Sequence, residues 1–327
     1  MSRPVVNALD RYQRERLVFA QAALDFTRQP ENVETLVAGG AISLLQHLSQ
    51  DVSPGIQHLA TLALGRLATH SQEVAESLVT GDFQHFLVNK VRATLNEAQT
   101  RGSSPEQQIR RAAALCLKGL TRHSEALAER AVSGSGAVEV MVAALKDRDT
   151  DTQEAAAWVL GNMAGHSAKL ATMVADAAAV VPLAACLSSG ELAVKRIAAS
   201  ALSDIAKHGV ELAQRLVEAG AVEQLVATLR SPTGKDMRLR RQACCALGQI
   251  AKASPELASK VLQRGGLAEF QRCLAAEDAV ARRHAALALR DVAKLAQGCA
   301  QTMADRGCLS ALVAALGPGE QMYVRQQ

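Results

Sequence analysis

The sequence predicts an all-α solenoid of stacked three-helix units. Three features predict it: an apolar stripe at helical spacing, its recurrence about every 42 residues, and a core composed of small aliphatic side chains. The stripe is clearest between Ala193 and Ala221. Val194, Ile197, Ala198, Ala201, Leu202 and Ile205 fall at i, i+3, i+4, i+7, i+8 and i+11, one face of a helix. His208-Gly209 ends that helix, with Gly209 expected in the left-handed conformation. A shorter helix follows from about Glu211 and breaks at Ala219-Gly220-Ala221. Val222, Leu225, Val226 and Leu229 form a third stripe. Three short amphipathic helices cannot bury their apolar faces alone, so the unit needs a neighbour on each side.

The helix-ending position His208 recurs as Gln29, His70, His123, His166, Ala253 and Leu295. Successive gaps are 41, 53, 43, 42, 45 and 42 residues. The two longest have local causes: a polar insertion between Arg92 and Pro105, and a longer turn between Ser231 and Asp236. About twelve residues beyond this position stands a small pair, as in Gly39-Gly40, Ala219-Gly220 and Gly265-Gly266, or the single Gly307. This period, with a short helix such as 211–218 opening each unit, specifies an armadillo-type right-handed superhelical solenoid of three-helix repeats.

In chain order, residues 1–30 read as an N-terminal capping helix whose second half, Leu17 to Phe26, matches the long third helix of a repeat. Pro30 suits the first turn of the next helix. The repeats then fall at about 31–70, 71–123, 124–166, 167–208, 209–253 and 254–295, with a partial unit at 296–317 and a tail at 318–327. The partial unit supplies only the first two helices of a triplet. That predicts a piece of a longer solenoid, a shorter paralogue, or an end that docks on a partner or self-associates.

Composition narrows the function classes. Hydrophobic residues make up 49% of the chain and aromatics 2%, so Ala, Leu and Val fill the core and let helices approach closely. A net charge of +4 is too small to argue for nucleic acid, and two Tyr, five Phe and one Trp supply no stacking platform. Seven cysteines without a CxxC pair read as core residues of a reducing compartment. The opening carries charges throughout, and no run of 18 apolar residues reads as a membrane span; the longest Ala-rich run is Ala177 to Leu187. A cytosolic protein is expected, without a membrane partner. Gly234-Lys235 lacks a phosphate loop before it, and the GSGAV run at 134–138 follows a helix. HExxH, GxSxG and EF-hand patterns are missing, so neither an enzyme nor a cofactor is expected.

Three stretches carry a family resemblance: KRIAASALSDIAKH at 195–208, EAAAWVLGNMAGHSAKLA at 154–171 and LALGRLATHSQEVAESLV at 62–79. They resemble the armadillo repeats of the sperm-associated antigen six family of the ciliary central apparatus. The opening RYQRERLVFAQ and TRQPENVETL resemble that family's start. The resemblance implies a scaffold on central-pair microtubules, at the axoneme of a motile cilium or flagellum, with tubulin and other central-apparatus proteins as partners.

Candidate sites follow from equivalent positions. His70, His123, His166 and His208 lie one repeat apart, roughly 10 Å by helix packing. That is too far for a shared metal, and a helix C-terminus suits a histidine cation. Trp158 and Asn162 resemble the Trp-x-x-x-Asn pair of peptide-binding armadillo proteins such as the alpha importins. The other repeats lack the complete pair, which favours a packed Trp and a solvated Asn over a peptide site. Near the start of each long helix stand Gln57-His58, Arg110-Arg111, Gln153-Glu154, Lys195-Arg196, Arg240-Arg241 and Arg282-Arg283. Cations there oppose the helix dipole by about 0.3–1 kcal/mol each. Two readings stand: a row that binds an acidic, extended partner, for which the family suggests tubulin tails, or a solvated edge that pairs with acids of adjacent repeats. The function expected is a non-catalytic scaffold of the central apparatus; the alternative is a cytosolic peptide-binding adaptor of the transport or adhesion type.

Overall fold

A computed structural model describes residues 3–95, 104–295 and 299–315. Every regular element among them is helical. The insertion residues 96–103, the start of the partial unit at 296–298 and the expected tail lie outside the described residues. The chain divides into two compact units, residues 1–163 and 164–327.

The first unit opens with α1 (Arg3–Phe26). Three triplets follow: α2 (Asn32–Ala38), α3 (Ala41–Leu48) and α4 (Pro54–His70); α5 (Gln72–Thr80), α6 (Phe83–Leu95) and α7 (Pro105–Leu120); α8 (Glu125–Val132), α9 (Ala137–Ala144) and α10 (Thr150–His166). The unit boundary falls inside α10. The second unit holds α11 (Ala168–Asp176), α12 (Val180–Cys186) and α13 (Leu192–Ala206); α14 (Val210–Glu218), α15 (Ala221–Arg230) and α16 (Met237–Ala251); α17 (Pro255–Gln263), α18 (Gly266–Leu274) and α19 (Ala279–Leu295); then α20 (Cys299–Asp305) and α21 (Cys308–Ala315). A 3₁₀ turn, Pro232–Lys235, fills the longer connection before α16.

Sequence explains each break. Ser71, Ser124, Ser167 and Ser254 sit in extended backbone directly after the helix-ending position. Each accepts a hydrogen bond from the N–H three residues on, capping the first helix of the next triplet. Gly209 takes this role in the fourth interval. Its φ is positive, as expected, but its ψ of 173° makes it an extended N-cap of α14, not a left-handed helix terminus. The left-handed residue lies later, between first and second helices, as at Gly220 (φ 75°). In two triplets Asp82 (φ 55°) and Ala178 (φ 60°) adopt it instead.

Within each unit the core is built by third helices laid side by side. In the first, α1 packs on α4 and α4 on α7; in the second, α13 packs on α16 and α16 on α19. Leu64, Leu67, Leu117, Leu202, Leu247 and Leu289 are buried at these contacts, each stabilising the fold by about 1.5–3 kcal/mol. α4 and α7 approach each other closely. A Cβ on Gly65 would lie 2.9 Å from the Cys116 Cα, and one on Gly119 would lie 2.9 Å from the Gly65 carbonyl oxygen.

Candidate interaction surface

The paired positions near the start of each third helix have two separate jobs. The first residue of the pair reaches back to the loop before its own helix. Gln57 donates to the Asp51 carbonyl, Gln153 to Asp147 O at 2.7 Å, Arg240 to Gly234 O at 3.1 Å and Arg282 to Ala276 O at 2.7 Å. All four bonds span six residues. Arg110 spans sixteen, to Thr94 O at 2.6 Å, because the insertion lengthens that loop. Lys195 instead donates to the Thr233 hydroxyl of the following triplet at 3.4 Å. Apart from Lys195, these donors serve carbonyls that regular helices leave unpaired.

Three arginines at the second position, Arg111, Arg196 and Arg241, reach forward by one repeat. Arg111 holds Asp149 with Nε and Nη2 and pairs with Asp151 at 2.8 Å. Arg196 forks onto Asp236 at 2.9 and 2.6 Å, and Arg241 onto Asp278 at 2.5 and 2.7 Å. The aspartates also serve their own helices. Asp149 accepts from the Thr152 N–H, Asp236 from Leu239, and Asp278 from Val280 and Ala281. A carboxylate at a helix N-terminus is favoured by the dipole, so each aspartate offsets the unfavourable arginine beside it. Two earlier arginines act alike: Arg16 pairs with Asp51, and Arg110 pairs with Asp147 at 2.9 Å in full burial.

The carboxyls record this arrangement. The Arg196 hydrogen bond holds Asp236 below the usual carboxylate range, and Arg241 does so for Asp278. Burial alone would raise Asp149, but the bonds from Arg111 and Thr152, with the Arg111 charge, outweigh it and depress it. Thus Arg110, Arg111, Arg196 and Arg241 fasten one repeat to the next. Arg283 stands exposed.

Trp158 is half-buried; its indole N–H donates to Glu154 at 3.3 Å and its face is covered by the Lys118 ammonium at 4.7 Å. Burial lowers the Lys118 pKa, more than nearby Glu154 raises it. Asn162 is not simply solvated: its amide donates to Lys118 O at 3.3 Å and Thr121 Oγ1 at 3.4 Å, at the end of α7. The histidines work similarly. His123 Nε2 donates to Ala68 O and His208 Nε2 to Ala164 O, each at 2.6 Å, satisfying a carbonyl in the last turn of the preceding third helix. Among the described residues no group of three His, Cys, Asp or Glu could hold a metal ion. Cys116, Cys186, Cys244, Cys273 and Cys308 are buried thiols, and Cys245 is half-buried. Burial pushes the Cys186 thiol up to about 11. No single described helix is long and apolar enough to cross a membrane.

The sequence pattern did not single out Lys235 and Arg238, both exposed beside the α16 N-terminus. The signal was present: in KDMRLRR at 235–241 they stand directly ahead of Arg240-Arg241. Reading only equivalent positions passed over them.

Comparison with known proteins agrees with this geometry. The Armadillo/beta-catenin-like repeat family profile matches residues 129–165 and 209–252. An engineered protein of known structure superposes with a TM-score of 0.82 at 25% identity, covering 94% of this chain and 71% of its own. A designed armadillo repeat protein gives 0.67 at 19% identity, covering 76% and 98%, respectively, which bears on the fold. The fold is that of an armadillo-repeat solenoid. Sperm-associated antigen 6 of Mus musculus is similar to it, 43% identical over 86 residues. The human counterpart is 42% identical over 86 residues. Each match spans 26% of this chain and 17% of the relative's length.

Proposed function

We propose that the chain is a non-catalytic scaffold of the axonemal central apparatus, which supports central-pair microtubule assembly and ciliary motility through protein contacts. The observation that carries this reading is the 43% identity to sperm-associated antigen 6 in repeats of the same fold. The identity covers only part of that relative, so the reading concerns where the scaffold sits, and its direct contacts need a separate argument. Armadillo repeats expose long surfaces at which polypeptides dock. The arginine–aspartate forks and the His123 and His208 carbonyl bonds fasten repeat to repeat, as a scaffold requires. The adaptor reading loses support at its own residues: the Trp158 face is covered by Lys118 and the Asn162 amide is spent on the end of α7.

The test is location. A tagged copy expressed in a flagellated cell is expected to fractionate with detergent-extracted axonemes and to be lost from those lacking the central pair. A protein wholly released by detergent, with normal beating after its deletion, would end this reading.

A further inference from the structure

Once the fastening pairs are set aside, the cations on the two units are unequal. Consider the eight residues that end at the second position of each pair. In the first unit these windows are 51–58, 104–111 and 147–154, with three cations and six acids. In the second they are 189–196, 234–241 and 276–283, with eight cations and four acids. Two of those four acids, Asp236 and Asp278, are forked by Arg196 and Arg241. The other two, Glu191 and Glu277, are exposed and are outnumbered by six further cations: Lys195, Lys235, Arg238, Arg240, Arg282 and Arg283.

These six lie along one edge. Because α13 packs on α16 and α16 on α19, the starts of the three helices are neighbours, as the Arg196–Asp236 and Arg241–Asp278 pairs show directly. Lys195, Arg240 and Arg282 each donate from the charged end of the side chain to a nearby oxygen, which fixes where their charge sits. Lys235, Arg238 and Arg283 are exposed. Two apolar side chains, Met237 and Val280, are exposed between them, 55% and 41% accessible. The helix N-termini add positive potential to the same edge. Helix stability alone would place acids here, as the first unit does.

We infer that the edge formed by the starts of α13, α16 and α19 binds an extended, acidic polypeptide segment. The geometry fits an extended chain. Stacked helices are about 8–10 Å apart and an extended chain advances about 3.3 Å per residue, so roughly seven residues cross all three helix starts. A glutamate run presents carboxylates in every frame along that path. Met237 and Val280 accommodate the aliphatic stems between the cations. This inference rests on the scaffold reading only in taking a polypeptide as the partner.

Fluorescence anisotropy of labelled decaglutamate with the full chain tests it. Binding is expected to weaken steeply with salt, and triglutamate, too short to span the edge, to compete poorly. The variant K235E/R238E/R283E leaves every fastening pair intact and is expected to bind at least about tenfold more weakly. The control R148E/K146E, on the first unit, is expected to stay within about twofold. Matching circular dichroism and melting curves establish that both variants are folded. Equal binding by the triple variant would overturn the inference, as would an oligothymidylate of ten nucleotides that binds more tightly than decaglutamate. Loss of axoneme fractionation with peptide binding intact would strike the location instead, so the two failures are distinguishable.

Discussion

Both units use a partly exposed arginine–aspartate fork, and the first adds a deeply buried pair beside it. In the first, Arg110 and Asp147 keep 3% and 1% of their side-chain surface exposed; in the second, Arg196 and Asp236 keep 29% and 22%. Both pairs join a third helix to the loop that precedes the next one. The difference teaches that pairing and cost are separate matters. A buried ion pair owes its stability to mutual neutralisation, and either partner alone is worse than neither. A half-exposed pair keeps some water, so its partners can part cheaply. Deep fastening therefore locks α7 to the loop before α10. Shallow fastening leaves the corresponding edge of the second unit accessible, and there the surplus positive charge stands.

The largest effect should come from breaking the deep pair. Arg110→Ala strands the Asp147 carboxylate and leaves Thr94 O without its donor, an expected loss of about 3–5 kcal/mol. Arg196→Ala should cost about 1 kcal/mol or less. Urea denaturation of both variants sharpens the comparison, and equal midpoints would refute the argument from depth. A second contrast lies in helix approach. At Gly119 an added Cβ would lie 2.9 Å from the Gly65 carbonyl oxygen and 3.0 Å from Thr69 Oγ1, whereas at Gly248 the nearest neighbour is the Ala288 methyl, at 3.1 Å. Gly119→Ala is expected to destabilise by about 1–3 kcal/mol through overpacking against backbone. Gly248→Ala should lie within about 1 kcal/mol of the parent, since alanine's helix propensity offsets a strain that a methyl can relieve. Thermal melts of the two decide it.

The fold class was legible because its signal is periodic. One apolar stripe says little about its neighbours, but the return of His-Ser after α4, α7 and α10 marks both an end and a cap. The left-handed slot was legible only where glycine fills it, as at Gly220; Ala178 and Asp82 take the same conformation with no glycine to announce it. The surface was harder to read, for a physical reason. Arg110-Arg111 and Arg240-Arg241 look alike in sequence, and what distinguishes them is the acid placed one repeat later. Asp147, Asp149, Asp236 and Asp278 are visible in the chain, but their role appears only when adjacent helix starts come together. The histidines show the same limit: a ring near a helix end suggests a dipole contact, whereas the observed partner of His123 is a carbonyl 55 residues away.

The smallest effect concerns acid, and it also separates the units. His284, on α19, is half-buried against α16, where its Nδ1 donates to the Arg241 carbonyl at 3.3 Å. Burial lowers its pKa; the Arg241 carbonyl and Asp278 pull it up, while the Arg283 and Arg241 charges push it down. A ring whose folded pKa lies below its ordinary value near 6.5 takes up its proton later than the unfolded chain does. The second unit therefore has its full stability above about pH 6.5. It loses part as pH falls through that value toward the folded pKa. The fork carboxylates act lower down. Asp149, Asp236 and Asp278 are depressed, so their contribution is complete above the ordinary carboxylate value near 3.8 and is lost as pH falls through their folded values. Amide hydrogen exchange at pH 7.5 and 5.5, corrected for intrinsic rates, should show weakened protection in α16 and α19 but none in α4 and α7. His284→Gln, which keeps a donor and cannot titrate, should remove the difference. If α4 and α7 loosen equally, or the Gln variant keeps the full pH response, then a group other than His284 governs mild acid sensitivity.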